Sequence, residues 1–206
     1  MTNSKKQTKN EKRRAARQKA KNTKNTKLFA SIAAIAVLGF SGYWFFARKQ
    51  NLEINTYIAQ VSEKLGQDIV IDKEAKYSIQ SRQHISTNQA HVPYSTNPPT
   101  SGPHSDASLG GFYANGLRDE NAIHNLEHGF IWISYKNVSN EEIDKIERIA
   151  QKYRGRVIAS QRNDNDEDGV VLAAWGKMLK LRQFDDLIAE DFIKRNFNKS
   201  PEQLAR

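Results

Sequence analysis

The chain has 206 residues, with 32 Lys or Arg against 23 Asp or Glu, a formal charge of +9, and no cysteine. The lack of cysteine excludes a disulfide scaffold, a thiolate-ligated zinc finger, an iron–sulfur protein and a thiol enzyme. At 38% hydrophobic and 27% charged, the composition is that of a folded domain with extras, not of a wholly disordered chain.

The charge is uneven. Residues 1–27 carry eleven Lys or Arg and one acid, Glu11, a net of +10. The rest holds 21 basic and 22 acidic side chains, a net of −1. The high isoelectric point therefore describes the tail. Its Lys, Asn, Thr, Gln and Ala show no apolar period, so residues 1–27 read as a disordered cytoplasmic tail. RNA or anionic lipid binding is one reading of such a tail. A topology signal is the other, and it is preferred because an uncharged apolar stretch comes directly after the tail; no specific nucleic acid partner is expected.

Residues 28–46 run LFASIAAIAVLGFSGYWFF without a charge. Their length at 1.5 Å per residue is about 28 Å, close to the hydrocarbon thickness of a bilayer. The stretch is apolar all round, and Tyr43, Trp44, Phe45 and Phe46 resemble an aromatic belt. No small-x-small cleavage site comes after it, so the span reads as an uncleaved signal anchor. The excess of positive charge before it places the N-terminus in the cytoplasm and residues 47–206 outside. The expectation is a single-pass membrane protein whose exported part lies in the periplasm, cell-wall space or an equivalent compartment and, without cysteine, relies on its core or on a metal.

Along that part, Leu52 to Leu65 sets Ile54, Tyr57, Ile58, Val61 and Leu65 at helical spacing, with Gly66 as a stop. Ile69 to Ile71 is a short strand. Residues 81–118 are rich in Ser, Asn, Pro and Gly without a period, too long for a plain connection. Arg118 to His128 forms a short helix, capped by Asp119 and closed by Gly129. Phe130 to Tyr135 is a strand. Ser139 with Glu142 is a capping box for a helix bearing Ile143, Ile146, Ile149, Ala150 and Tyr153. Arg156 to Ser160 and Val170 to Trp175 are strands around an acidic turn. Phe184 to Phe197 is a closing helix, with Leu187, Ile188 and Phe192 inward. The order strand, helix, strand, strand, helix predicts an α+β fold, a small mainly antiparallel sheet with packed helices, preceded by one transmembrane helix.

All five histidines, His84, His91, His104, His124 and His128, fall within 45 residues. His124 and His128 stand four apart, so a helix puts both rings on one face, where they can share a metal ion. His104 ends the run Asn97-Pro-Pro-Thr-Ser-Gly-Pro-His104, whose prolines stiffen the loop that delivers it. His91 precedes the same loop and is a further candidate ligand. His84, in the polar string Ser81-Arg-Gln-His-Ile-Ser86, reads as a plain loop residue. A donor set of imidazoles without thiolates suits Zn, Cu(II), Ni or Fe(II). The alternative is that these rings only meet helix-end carbonyls and satisfy buried hydrogen bonds.

His124-x-x-Glu127-His128 matches the inverted zinc-protease pattern, but Gly129 and a β-rich run end the helix at once. Glu127 is therefore a candidate ligand, supporting partner or general base rather than the mark of a protease. Asp164-x-Asp166-x-Asp168-Gly169 imitates a calcium loop, but Trp175 stands where the loop needs Glu, so a hairpin turn is expected. Neither a nucleophile elbow nor a dinucleotide fingerprint occurs.

The strings Tyr94-Ser-Thr-Asn-Pro-Pro-Thr-Ser-Gly-Pro-His104, Ile123-His-Asn-Leu-Glu-His-Gly129 and Ala174-Trp-Gly176, the last ahead of a helix with Asp185 and Phe192, closely resemble the bacterial domain of unknown function 3105 family. The likeness spans roughly residues 52–204 and leaves out the Lys-rich tail. It implies a single-span exported protein and supports His104, His124, Glu127 and His128 as the site. His91-Val92 also fits the family pattern. It implies no reaction. Three readings are open: a membrane-anchored metal-binding or metal-handling domain, an envelope metalloenzyme with Glu127 as base, and a metal-free envelope interaction module.

Overall fold

The structure is a computed structural model, and it describes residues 39, 42–50, 52–66 and 68–203. The basic tail and most of the 28–46 span lie outside the described residues. Among those described, no helix is long and apolar enough to cross a membrane. The chain divides into two units, Met1–Tyr57 and Ile58–Arg206. In the first, residues 42–50 and 52–57 are helical, and Tyr43, Trp44, Phe45 and Phe46 are exposed.

The second unit opens with helical residues 58–65 (α1), which Gly66 ends by donating to the carbonyls of Ser62 and Glu63 at 3.2 and 3.1 Å. It continues with β1 (Val70–Lys76), β2 (Gly111–Tyr113), α2 (Asp119–Glu127), β3 (Ile131–Lys136), α3 (Asn140–Lys152), β4 (Val157–Gln161), β5 (Gly169–Ala174), β6 (Lys177–Leu181) and α4 (Asp186–Asn196). The six strands form one sheet in the order β1-β6-β5-β3-β4-β2. β1, β6, β5 and β3 pair antiparallel in turn, whereas β4 runs parallel to both β3 and β2.

The sheet is thus mixed, not mainly antiparallel. α3 carries the chain back over the sheet between β3 and β4, and a helical crossover makes the strands it joins parallel. The acidic segment 163–168 is likewise no hairpin, because β4 and β5 flank β3 on opposite sides. Asn165 anchors this crossing, accepting at Oδ1 from Ser134 Oγ at 3.0 Å and at its carbonyl from Lys136 Nζ at 2.8 Å. Two strands are additional to the sequence reading. β2 is three residues inside the Gly-rich loop, and β6 is a short strand whose two lysines interrupt any clean alternation.

Strand alternation divides the core. Ile131, Ile133 and Tyr135 join Val157, Leu172, Ile146, Phe192 and Ile193 on the face covered by α3 and α4. Trp132, Ile158 and Ala173 join Ala122, Ile123, Leu126 and Trp175 on the face covered by α2. The capping box of α3 forms as expected, and Glu142 also accepts from Phe184 N–H at 2.9 Å, tying α3 to the start of α4. Burial alone would raise the Glu142 carboxyl, but the N–H groups of Phe184 and Ser139 and the Ser139 hydroxyl hold it below its ordinary value. Asp185 caps α4 through Leu187 and Ile188 N–H at 3.0 and 3.1 Å, and Leu187 is only half-buried. Asp119 does not cap α2. Arg118 holds that position without a side-chain capping bond, and Asp119 instead receives Arg162 in a fork, both contacts at 2.8 Å.

Candidate metal centre

The long loop turns back on itself beside α2. Gly102 N–H donates to Ser81 O at 3.2 Å, His104 N–H to Gln83 O at 2.9 Å, and Ile85 N–H to His104 O at 2.8 Å. This short parallel bridge sets His84 beside His104. Gly102 has φ +136°, and a Cβ there would lie 2.8 Å from Tyr94 Cδ1, so only glycine allows the turn. The same Tyr94 also braces the turn by donating its hydroxyl to Pro103 O at 2.8 Å. Ser105 N–H then reaches Glu120 O at 3.3 Å and joins the loop to α2.

α2 contributes His124 and Glu127 and ends at His128, its C-cap. Gly129 has φ +86°, and a Cβ there would stand 2.7 Å from Asn198 Cα. The chain can therefore reverse directly into β3, which keeps the last turn of α2 against the sheet.

Three imidazoles converge: His84, His104 and His124 each offer one nitrogen, and these atoms lie within 4.8 Å of one another. The ring centroids are 4.5 Å (His84–His104), 5.0 Å (His84–His124) and 5.1 Å (His104–His124) apart. Two of the rings are fixed in the same way. His104 Nδ1 lies 2.8 Å from Gly102 O, and His124 Nδ1 lies 2.5 Å from Ser105 O. A carbonyl only accepts, so each Nδ1 carries a hydrogen, and a ring in its neutral form then keeps its lone pair on Nε2. Histidine ligands of metals are held in this manner, with the second nitrogen tied to a carbonyl or carboxylate.

Glu127 closes the group. Its side chain is fully buried, with Oε2 at 2.9 Å from His104 Nε2 and 3.8 Å from His84 Nε2. Oε1 accepts from Arg82 Nε at 2.7 Å. Despite their closeness, His104 Nε2 and Glu127 Oε2 are both buried without a hydrogen-bond partner. Two acceptors face each other, and a cation near both would satisfy them. Arg82 also donates to Glu202, at 3.1 Å. Two carboxylates against one guanidinium leave the surroundings of the rings net negative, which favours a cation. Burial, and then the neighbouring His128, His104 and His84, lower the His124 pKa, while its bond to Ser105 works the other way. The ring is thereby kept in the neutral form that metal binding needs.

The structure separates the other residues singled out in the sequence. His128 stands outside the triad, with Nε2 2.9 Å from His124 Nε2 and 3.7 Å from Glu202 Oε2. His91 is not brought to the cluster. It faces Glu120 at 3.6 Å and packs its ring 4.7 Å from Tyr94. Glu120 lines a separate cleft of about 640 Å³, whose two guanidiniums are engaged, Arg118 by Glu120 and Arg162 by Asp119. Glu127 has no solvent exposure; Arg82 holds its Oε1, while its Oε2 faces His104 inside the cluster. His84 is the residue that the sequence reading passed over. Its neighbours carry no period, and only the bridge to His104 brings it in.

Fold and cluster together define an α+β domain whose histidine triad could hold a metal ion. A family model matches residues 84–206, more than half of the chain, and the chain belongs to the family described as Protein of unknown function (DUF3105). The matched region starts at His84 and takes in every histidine and both carboxylates of the cluster. No curated protein and no solved structure matches.

Proposed function

We propose that this protein is a membrane-anchored, extracytoplasmic metal-binding domain of a bacterial envelope. His84, His104 and His124 supply three nitrogen donors and Glu127 a fourth, oxygen donor. The set is hard to borderline and lacks sulfur, which suits Zn, Cu(II), Ni or Fe(II). The observation that carries this reading is the matched pair of Nδ1–carbonyl bonds at His104 and His124, set beside the unsatisfied His104 Nε2 and Glu127 Oε2. The anchor and its orientation are read from the basic tail and the 28–46 span. With Glu127 fully buried and its Oε1 held by Arg82, binding or handling of the ion is favoured over hydrolysis.

Melting of the purified full chain, with chelator or with added metal, tests the proposal. A metal at a hundred times its Kd adds about 2.7 kcal/mol. For a domain of this size that raises Tm by roughly 5–11 °C. Equal melting with EDTA and with each of the four metals would overturn it. Protease treatment of intact cells tests the topology, and cleavage of the C-terminal domain only after lysis would overturn that part.

A further inference from the structure

Arg82 clamps two carboxylates. Its Nε holds Glu127 Oε1 at 2.7 Å and its Nη2 holds Glu202 Oε1 at 3.1 Å. Each carboxylate thereby turns Oε2 towards a histidine Nε2, Glu127 towards His104 at 2.9 Å and Glu202 towards His128 at 3.7 Å. The first pair is fully buried. The second is a third exposed or more, at 33% and 39%. Backbone bonds fix the outer pair in place: Glu202 N–H donates to Glu127 O at 3.1 Å, and Asn198 N–H to Gly129 O at 2.8 Å.

His124 stands between the two pairs. Its ring is 5.1 Å from that of His104 and is stacked 4.8 Å from that of His128. His124 Nε2 keeps a lone pair, so the hydrogen between it and His128 Nε2, 2.9 Å away, belongs to His128. Two donors at that separation can both bind one ion about 2.1 Å from each, at an angle near 90°. An ion held by His128 is then already within reach of His124.

We propose that His128 and Glu202 form a second, outer metal position, from which a divalent transition-metal ion passes through His124 to the inner set. The inference rests on the inner set binding metal. The ion exchanges ligands one at a time and never depends on fully buried donors to strip its water. The hydrogen on His128 Nε2 leaves to solvent or moves to Nδ1 as the ion arrives. A waypoint that contributes no donor to the final site alters the barrier alone. It must speed binding and release by the same factor and leave Kd unchanged.

Trp175, with its ring 6.3 Å from that of His104, provides a reporter. Cu(II) is mixed with the full chain in detergent, and quenching gives the association rate. An EDTA chase gives the release rate, and equilibrium dialysis gives Kd. His128→Ala is compared with the unaltered chain. Both rates are expected to fall together by about tenfold with Kd unchanged, a range within which association rates of related variants vary. Unchanged or faster loading would overturn the proposal. So would a weakened Kd from faster release alone, which would make His128 an inner ligand. If the unaltered chain takes up no Cu(II) by dialysis, the underlying metal reading fails and the outer position with it.

Discussion

Replacing Glu127 by glutamine separates a metal ligand from a structural ion pair. In the metal-free chain, His104 Nε2 and Glu127 Oε2 are buried, 2.9 Å apart and unsatisfied. Each such atom costs about 1–3 kcal/mol. Glutamine keeps the shape. Its carbonyl can accept from Arg82, and its amide can donate to His104 Nε2, which has no hydrogen because Nδ1 uses it on Gly102. The weaker, neutral bond to Arg82 loses roughly 1 kcal/mol. Arg82 is half exposed and retains Glu202, so this loss is not compounded. The amide's second hydrogen takes the place of one of the two unsatisfied atoms, so only one such cost is relieved, and the balance is a metal-free variant between about 0 and 2 kcal/mol more stable, a rise in Tm of roughly 0–8 °C. The same change removes an anionic donor, so the metal-induced rise in Tm should shrink or vanish. Calorimetry in EDTA and in metal reads both effects. A loss of about 3–5 kcal/mol in EDTA, the usual cost of breaking a buried ion pair, would refute the reasoning. It would mean that the two groups already share a proton and leave no need for a metal.

Local geometry sets other expectations. Gly129→Ala forces a Cβ to 2.7 Å from Asn198 Cα at φ +86°, and should cost about 1–3 kcal/mol. An unchanged melting temperature would contradict the close approach of the C-terminal segment. Glu142→Gln should cost on the order of 1 kcal/mol at neutral pH by weakening the capping box and the bond to Phe184. Because the folded carboxyl lies below its ordinary value, this contribution is present above the unfolded pKa of about 4.3 and disappears as pH falls through the folded value. The melting temperatures of the two proteins should therefore draw together as pH falls below the unfolded pKa. A gap that stays constant down to pH 3 would show that the charge plays no part.

The sequence exposed those parts of the fold where local rules coincide with tertiary demands. The Ser139–Glu142 box, the Gly66 and Gly129 stops and the apolar face of α3 are written in neighbouring residues, and they form. The sheet order is not local. Nothing near Arg156–Ser160 states that β4 lies parallel to β3, or that β5 takes the opposite edge of β3. The site divides along the same line. The i, i+4 pair on α2 and the proline-stiffened loop to His104 could be read from spacing. His84 lies twenty residues before His104, and only the backbone bridge between them makes it a neighbour. His91 sits nearer in sequence, yet Glu120 and Tyr94 engage it. The Asp119 cap failed because Arg162, distant in sequence, claims its carboxylate.

The most direct test is the metal content of the full chain by plasma mass spectrometry, beside His84→Ala and His124→Ala. His84 is more than half exposed, so its replacement should leave the fold intact while removing one donor. The expected result is about one transition-metal ion per unaltered chain after loading, and a loss of most of it in each variant at unchanged circular dichroism. Full retention of the ion by both variants, or its absence from the unaltered chain after loading with Zn, Cu, Ni and Fe, would contradict the account.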